Sequence, residues 1–226
     1  MNWRQEAADW ANAALQMVFP SRCPGCGAQV VGREAWCTQC LNELWNPRRL
    51  DVAERGMRHV ESCHVLTGYE GSVRSLLHGL KFQRRRNNAA PLKWLLSMAD
   101  AVELAGLPLY DCLAVPVPLS VGRWEERGYN QVDLIFADWC ASQGMEWETG
   151  NLVRLRSTAP QWELDRWERA KNMKGAFLVN APAKIRNRQI LLVDDIVTTG
   201  LTLEECAVSL HQAGAASVYA LAIANG

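Results

Sequence analysis

The sequence predicts an α/β fold, a mainly parallel sheet with helices on both faces, entered through a small segment built on four cysteines. Three observations carry that expectation. Short apolar runs ending in prolines or carboxylates alternate with amphipathic stretches, the pattern of strands joined by crossover helices. Two C-x2-C pairs stand close together near the N-terminus. The 226 residues, 49% hydrophobic and 21% charged, suffice for one good core plus an appendage and exclude a disordered chain.

Taken in order, "MNWRQEAADWANAALQMVF" reads as a short amphipathic helix ending at Phe19-Pro20. It lacks the basic-then-apolar pattern of an export signal, and no apolar run approaches the ~20 residues of a membrane span. The expected compartment is the cytoplasm, with no membrane insertion. The 24 basic and 24 acidic residues balance, so nothing global argues for nucleic acid, although a local basic patch stays open.

"CPGCGAQVVGREAWCTQC" follows, with Cys23 and Cys26 in one pair, Cys37 and Cys40 in the other, and ten residues between the pairs. That length allows a hairpin that brings the pairs together, and four thiolates in a tetrahedron suit zinc. The segment is too short to fold on its own apolar residues, and no ligand position is open. The expected Zn2+ is therefore structural. Two facing pairs argue against a dithiol redox site. Cys63, Cys112, Cys140 and Cys206 sit among apolar residues and read as core thiols. The expected organisation is 1–50 for the helix and double zinc-ribbon-like segment, and 51–226 for the main domain.

Residues 41–60 read as a linker with a short helix, and "CHVLTGY" (63–69) as a strand. "SVRSLLHGLKF" (72–82) is helical, with Val73, Leu76, Leu77 and Leu80 on one face, and "QRRRNN" is a polar break. "PLKWLLSMADAVELAG" (91–106) opens on proline and closes on glycine, a helix frame. "DCLAVPVPL" is a buried strand stopped by Pro116 and Pro118, and residues 130–144 form the next helix. Residues 146–155 are a weaker strand, 188–196 the strongest, 202–214 a helix and 215–224 a final strand.

"QILLVDDIVTTG" (189–200) carries the chemistry. In open parallel sheets ligands bind beyond the carboxyl ends of strands, where Asp194 and Asp195 fall. "VTTGLT" (197–202) then makes a tight loop into a helix, whose free N–H groups and dipole favour an anion. Thr198, Thr199 and Thr202 add hydroxyl donors. Carboxylates accept from sugar hydroxyls while amides and threonines donate to phosphate, which together fit a ribose 5-phosphate. The chain has no G-x-G-x-x-G, no Walker A run and no G-x-S-x-G elbow.

This stretch resembles the phosphoribosyl diphosphate loop of type I phosphoribosyltransferases. Other blocks narrow the likeness to the ComF family of competence-associated, amidophosphoribosyltransferase-like proteins, which includes the GntX proteins. "AVPVPLSVGRWEERGYNQ" (114–131) is similar to that family's R-x-x-x-R-G-[FY]-N-Q block. "HGLKF" (78–82) resembles its H-x-x-K-[FY] element. Residues 154–177 resemble its R-x-x-x-T-x-x-Q-x-x-L-x-x-x-x-R-x-x-N-x-x-G-A-F segment. The family also carries the paired cysteines.

The resemblance implies the type I phosphoribosyltransferase fold. It implies that Asp194 and Asp195 hold the ribose hydroxyls and that Val197, Thr198, Thr199, Gly200, Leu201 and Thr202 hold the 5-phosphate. Mg2+ would bridge diphosphate and sugar. Amides near Leu119–Gly122, with Arg123 and Arg127, are candidates for the diphosphate. Lys81 matches a family element. Segment 154–177 would be a lid supplying Thr158, Gln161, Arg169 and Asn172, with Trp162 and Trp167 as packing anchors. Asn130 and Gln131 would cap a helix or orient the loop, and His78 reads as a packing residue.

The resulting expectation is a protein that binds phosphoribosyl diphosphate, or a related nucleotide, with Mg2+ and transfers the phosphoribosyl group to an unknown acceptor in nucleotide or DNA utilisation. The competing one is a non-catalytic accessory protein for natural competence or DNA uptake. Its partners would be single-stranded DNA, nucleotides or a protein of the competence machinery. Acceptor specificity would come from a variable hood, to which the zinc segment and residues 41–70 are candidates to contribute.

Overall fold

The computed structural model describes residues 21–30, 35–99, 104–110, 112–155 and 175–226. The expected N-terminal helix and most of the expected lid, with Thr158, Gln161, Trp162, Trp167, Arg169 and Asn172, lie outside these. The chain divides into two compact units, Met1–Trp45 and Asn46–Gly226.

In the first unit the described residues form a cysteine knuckle and one short helix, α1 (Thr38–Leu44). In the second, strands β1 (Trp45–Leu50), β2 (Cys63–Gly68), β3 (Leu113–Pro116), β4 (Glu146–Trp147), β7 (Gln189–Val197) and β8 (Ser217–Asn225) form a six-stranded sheet ordered β1-β2-β8-β7-β3-β4. The pairings β2–β8, β8–β7, β7–β3 and β3–β4 are all parallel. A separate antiparallel ribbon joins β5 (Leu152–Arg154) to β6 (Phe177–Val179). The helices are α2 (Gly71–Phe82), α3 (Ala89–Met98), α4 (Val121–Arg127), α5 (Gln131–Ser142) and α6 (Leu201–Gln212).

β7 and β8 are buried on both faces, which is why their sequences are nearly continuous apolar runs rather than alternating ones. Ile190 and Leu192 of β7 share a core with Val218, Ala220 and Ala222 of β8 and with Leu203, Cys206 and Leu210 of α6. Leu191, Val193 and Leu221 alternate to the other face and are fully buried. α3 packs on α5, which also contacts β3, β4 and β7. The type I phosphoribosyltransferase arrangement expected from sequence is the one found, and no helix among the described residues is long and apolar enough to cross a membrane.

Three local expectations need correction. Residues 46–50, read as linker, extend the sheet as an edge strand. The helix expected to run to Gly106 stops at Met98, because Ala99 turns extended at ψ 120°. The single strand expected over 146–155 is two, β4 and β5, separated by a turn at Gly150 (φ +78°), and they belong to different sheets. All four scattered cysteines are buried, as expected of core thiols.

Candidate functional site

The cysteine cluster is built by local backbone geometry. The Cys23 amide donates to the Ala28 carbonyl and the Gly27 amide to the Cys23 carbonyl, each at 2.8 Å, closing a tight knuckle. Cys37 caps α1, its Sγ accepting from the Cys40 amide at 3.5 Å. The four Sγ atoms all lie within 4.8 Å of one another, and Cys26 and Cys37 are 3.6 Å apart. A tetrahedral zinc with Zn–S near 2.3 Å requires sulfurs about 3.8 Å apart, so the set fits.

Gly25 leaves room for this approach, since a Cβ there would meet Cys40 Sγ at 2.7 Å. Burial and then the neighbouring thiols push the Cys40 thiol upward. Burial would also raise Cys23, but amides of Cys37, Cys26 and Gly25 bring it down to about 6. Thiols this crowded ionise together only around a cation, and the residues form a structural zinc site.

The second site is assembled from distant segments. β7 runs on past Val193, the last residue that pairs with β3, and both carboxyls, Asp194 and Asp195, fall in that extension and line the same cavity. Asp195 is 2% exposed and meets Lys81 Nζ at 2.7 Å. Asp194 is half-buried, and its Oδ1 accepts from the Asp195 amide at 2.8 Å. Burial, and after it the charge of Asp195, raise the Asp194 carboxyl well above the usual carboxylate range, with Lys81 opposing.

Lys81 lies inside the helix expected over 72–82. It occupies the last turn of α2, which continues to Phe82 before Arg84 turns left-handed at φ +52°. From that turn its ammonium reaches Asp195.

Arg127 differs from a solvated helix residue. It is 5% exposed at the end of α4, where its Nη1 donates to Gln131 Oε1 at 2.7 Å. Burial, then the charge of Arg123, lowers its guanidinium pKa. Asn130 does both things expected of it. Its Oδ1 accepts from the Val132 amide to cap α5, and its Nδ2 donates to the Val117 carbonyl, each at 3.1 Å. His78 is exposed and its ring lies 4.8 Å from Phe82.

The loop after β7 turns at Gly200 (φ +81°), where a Cβ would strike Met57 Sδ at 2.8 Å. Among the described residues the amides of Thr198, Thr199, Gly200 and Thr202 make no hydrogen bond within the chain, and α6 begins with no side-chain cap. The segment before β2 braces this loop: Arg55 donates to the Thr198 carbonyl, and the His59 ring meets Glu204 Oε1 at 2.7 Å.

Asp194, Asp195, Lys81, Thr198, Thr202, Arg123 and Arg127 line one cavity of about 310 Å³, with Arg154, Gln131 and Tyr69. Val197, Thr199, Gly200 and Leu201 shape the loop without lining the cavity. Four cations face two carboxyls there, an excess that suits a polyanion. Tyr69 and the brace at Arg55, Met57 and His59 were missed. The strand-end rule applied to "CHVLTGY" points to Tyr69; no local signal points to the brace.

A parallel sheet with a phosphate-type loop, and four clustered thiolates nearby in sequence, define a phosphoribosyltransferase-like protein with a zinc ribbon. Residues 136–226 match the phosphoribosyl transferase domain and residues 14–52 the double zinc ribbon domain. The chain is 35% identical to the DNA utilization protein YhgH of Salmonella typhi over 92% of its own length and 85% of that protein. It is 29% identical to competence protein F of Haemophilus influenzae, covering 90% of both chains. Against competence protein ComFC of Bacillus subtilis it is 29% identical over 90% of this chain and 77% of that one. The chain belongs to the ComF family.

Proposed function

We propose that the strand-end cavity binds phosphoribosyl diphosphate with Mg2+ and transfers the phosphoribosyl group to an acceptor. The observation that carries this reading is the shared lining. The two carboxyls, the loop threonines and three cations from α2 and α4 all meet in one 310 Å³ space.

In this reading the free amides of 198–200 and the start of α6 hold the 5-phosphate, with Thr198 and Thr202 donating. Asp194 accepts from a ribose hydroxyl, and Asp195 joins it as Lys81 exchanges toward the diphosphate. Arg123, Arg127 and amides near Leu119–Gly122 take the remaining diphosphate charge. Of the two adjacent carboxyls only Asp195 meets the lysine, at 2.7 Å, so this carboxyl-rich corner accepts further positive charge, and the oxygen donors suit a hard divalent ion. Bound there, Mg2+ would neutralise charge on the leaving diphosphate. The bond from the sugar C1 to the diphosphate oxygen breaks with its electron pair leaving on diphosphate, while the acceptor's lone pair forms the new bond to C1. The chain's part is positioning and electrostatics, with no covalent nucleophile.

Arg169, Thr158, Gln161 and Asn172 remain proposed diphosphate and lid residues on the strength of the family motif alone. Relatives named for DNA utilization and competence extend the reading to an acceptor or product met in the use of DNA. Calorimetric titration with phosphoribosyl diphosphate, with and without Mg2+, tests the assignment. Magnesium-dependent binding that Asp194→Asn abolishes is expected. A well-folded wild type that takes up no ligand overturns it. Salt-sensitive binding of single-stranded DNA that ignores Asp194→Asn points instead to the accessory role.

A further inference from the structure

A second cavity, of about 340 Å³, adjoins the first and shares Pro118, Leu119 and Arg154 with it. Its chemistry is different. Pro116, Trp124, Leu152 and Val153 make most of its wall apolar. Within that wall stands Asp133, from the first turn of α5, whose Oδ1 is buried with no hydrogen-bond partner. The other nearby amide side chain cannot serve it, because Asn130 is committed to the Val132 amide and the Val117 carbonyl. Burial pushes the Asp133 carboxyl up to about 6. A buried acceptor facing a hollow is stabilised by a donor brought in from outside.

The volume sits at the small end of ligand pockets, room for one or two fused rings. Apolar walls disfavour a charged ring. Trp124, half exposed, offers a face for stacking. Thr149, also in the lining, supplies a hydroxyl donor for a ring nitrogen or carbonyl. We propose that this cavity is a second small-molecule site, taking a flat, neutral heteroaromatic ring whose amino group donates to Asp133 while its face lies on Trp124. It is not the place of the acceptor. Displacement at the sugar carbon needs the nucleophile opposite the diphosphate, and this cavity is lined by Leu119 and Val121 of the stretch assigned to the diphosphate. Its occupant is an effector ring, or the base of a nucleotide whose phosphate extends past Arg154 into the strand-end cavity.

Adenine and AMP, titrated into the full chain while the Trp124 indole N–H resonance is followed (assigned through Trp124→Phe), test this. A saturable shift is expected, at least tenfold weaker in Asp133→Leu and absent in Val153→Trp, which fills the cavity. Val153→Trp decides the matter should Asp133→Leu not fold. AMP binding tenfold tighter than adenine and competed by pyrophosphate identifies a nucleotide across both cavities; equal affinities identify a free base. The site is overturned if neither probe moves Trp124 at millimolar concentration. It is equally overturned if quinoline, which has no N–H, binds as tightly as adenine, or if binding survives Val153→Trp.

Discussion

The four-cysteine cluster and the strand-end cavity both gather charged or chargeable groups, but they are built on opposite plans. Every ligand of the first comes from eighteen consecutive residues, Cys23 to Cys40, positioned by knuckle hydrogen bonds and one helix cap. The second draws on Tyr69, Lys81, Arg127, Arg154 and Asp195, residues brought together by the sheet and the helices around it. A local site depends on its metal for order; a distributed one depends on the core. Perturbing one plan should therefore leave the other largely intact.

The largest effect belongs to the metal. Four-thiolate zinc contributes on the order of 10 kcal/mol of apparent free energy. Cys40→Ser, or a strong chelator, is expected to release zinc and make residues 21–44 protease-sensitive. Limited proteolysis with metal analysis reads this out. The main sheet's melting transition should hardly move, and a parallel collapse of that transition would show that the two plans are not separate.

Next comes the buried ion pair. Asp195→Ala leaves Lys81 without its partner at 2.7 Å, which should cost about 3 kcal/mol by denaturant titration. Lys81→Met in the same background should recover much of it. Third is the loop. Gly200→Ala combines a left-handed φ with a Met57 clash and is expected to cost about 2 kcal/mol. Met57→Ala should rescue only the clash, and a double-mutant cycle measures that share.

A pH dependence follows from Asp133, whose folded carboxyl lies near 6 against an ordinary value of 3.8. The folded state then binds more protons than the unfolded one between about pH 4 and 6, so stability falls as pH rises through that window. Asp194, also raised, acts in the same direction. Asp133→Asn should flatten the slope in thermal melts across the window. The smallest effect is that of the exposed Lys93–Asp138 pair, under about 0.5 kcal/mol on Lys93→Ala.

Particular residues show why one plan is easier to read than the other. Cys23, Cys26, Cys37 and Cys40 are legible because spacing within a hairpin is itself geometry. Asp194, Thr198 and Thr202 are legible for a similar reason: a strand, a turn and a helix start fix where adjacent residues go. Arg127 is a different case. Its sequence neighbours are exposed, and nothing local distinguishes it from Arg123, yet packing buries it against Gln131 and Phe82. Lys81 carried a family motif, but its pairing with Asp195 joins two segments far apart in the chain. The brace from Arg55, Met57 and His59 onto the loop joins residues more than 140 positions apart, and Asp133 looks like any helix-start carboxylate until its surroundings close over it.

The order of residues thus settled the parallel sheet, the thiolate cluster and the carboxylate–threonine turn, because each rests on periodicity or on contacts a few residues apart. Tertiary packing alone decided which cations lose their water, how two adjacent aspartates come to stand in unlike surroundings, and that an apolar hollow adjoins the phosphate-type cleft. Desolvation and ion pairing depend on what the rest of the chain places within a few ångströms, and that is a property of the fold rather than of any segment.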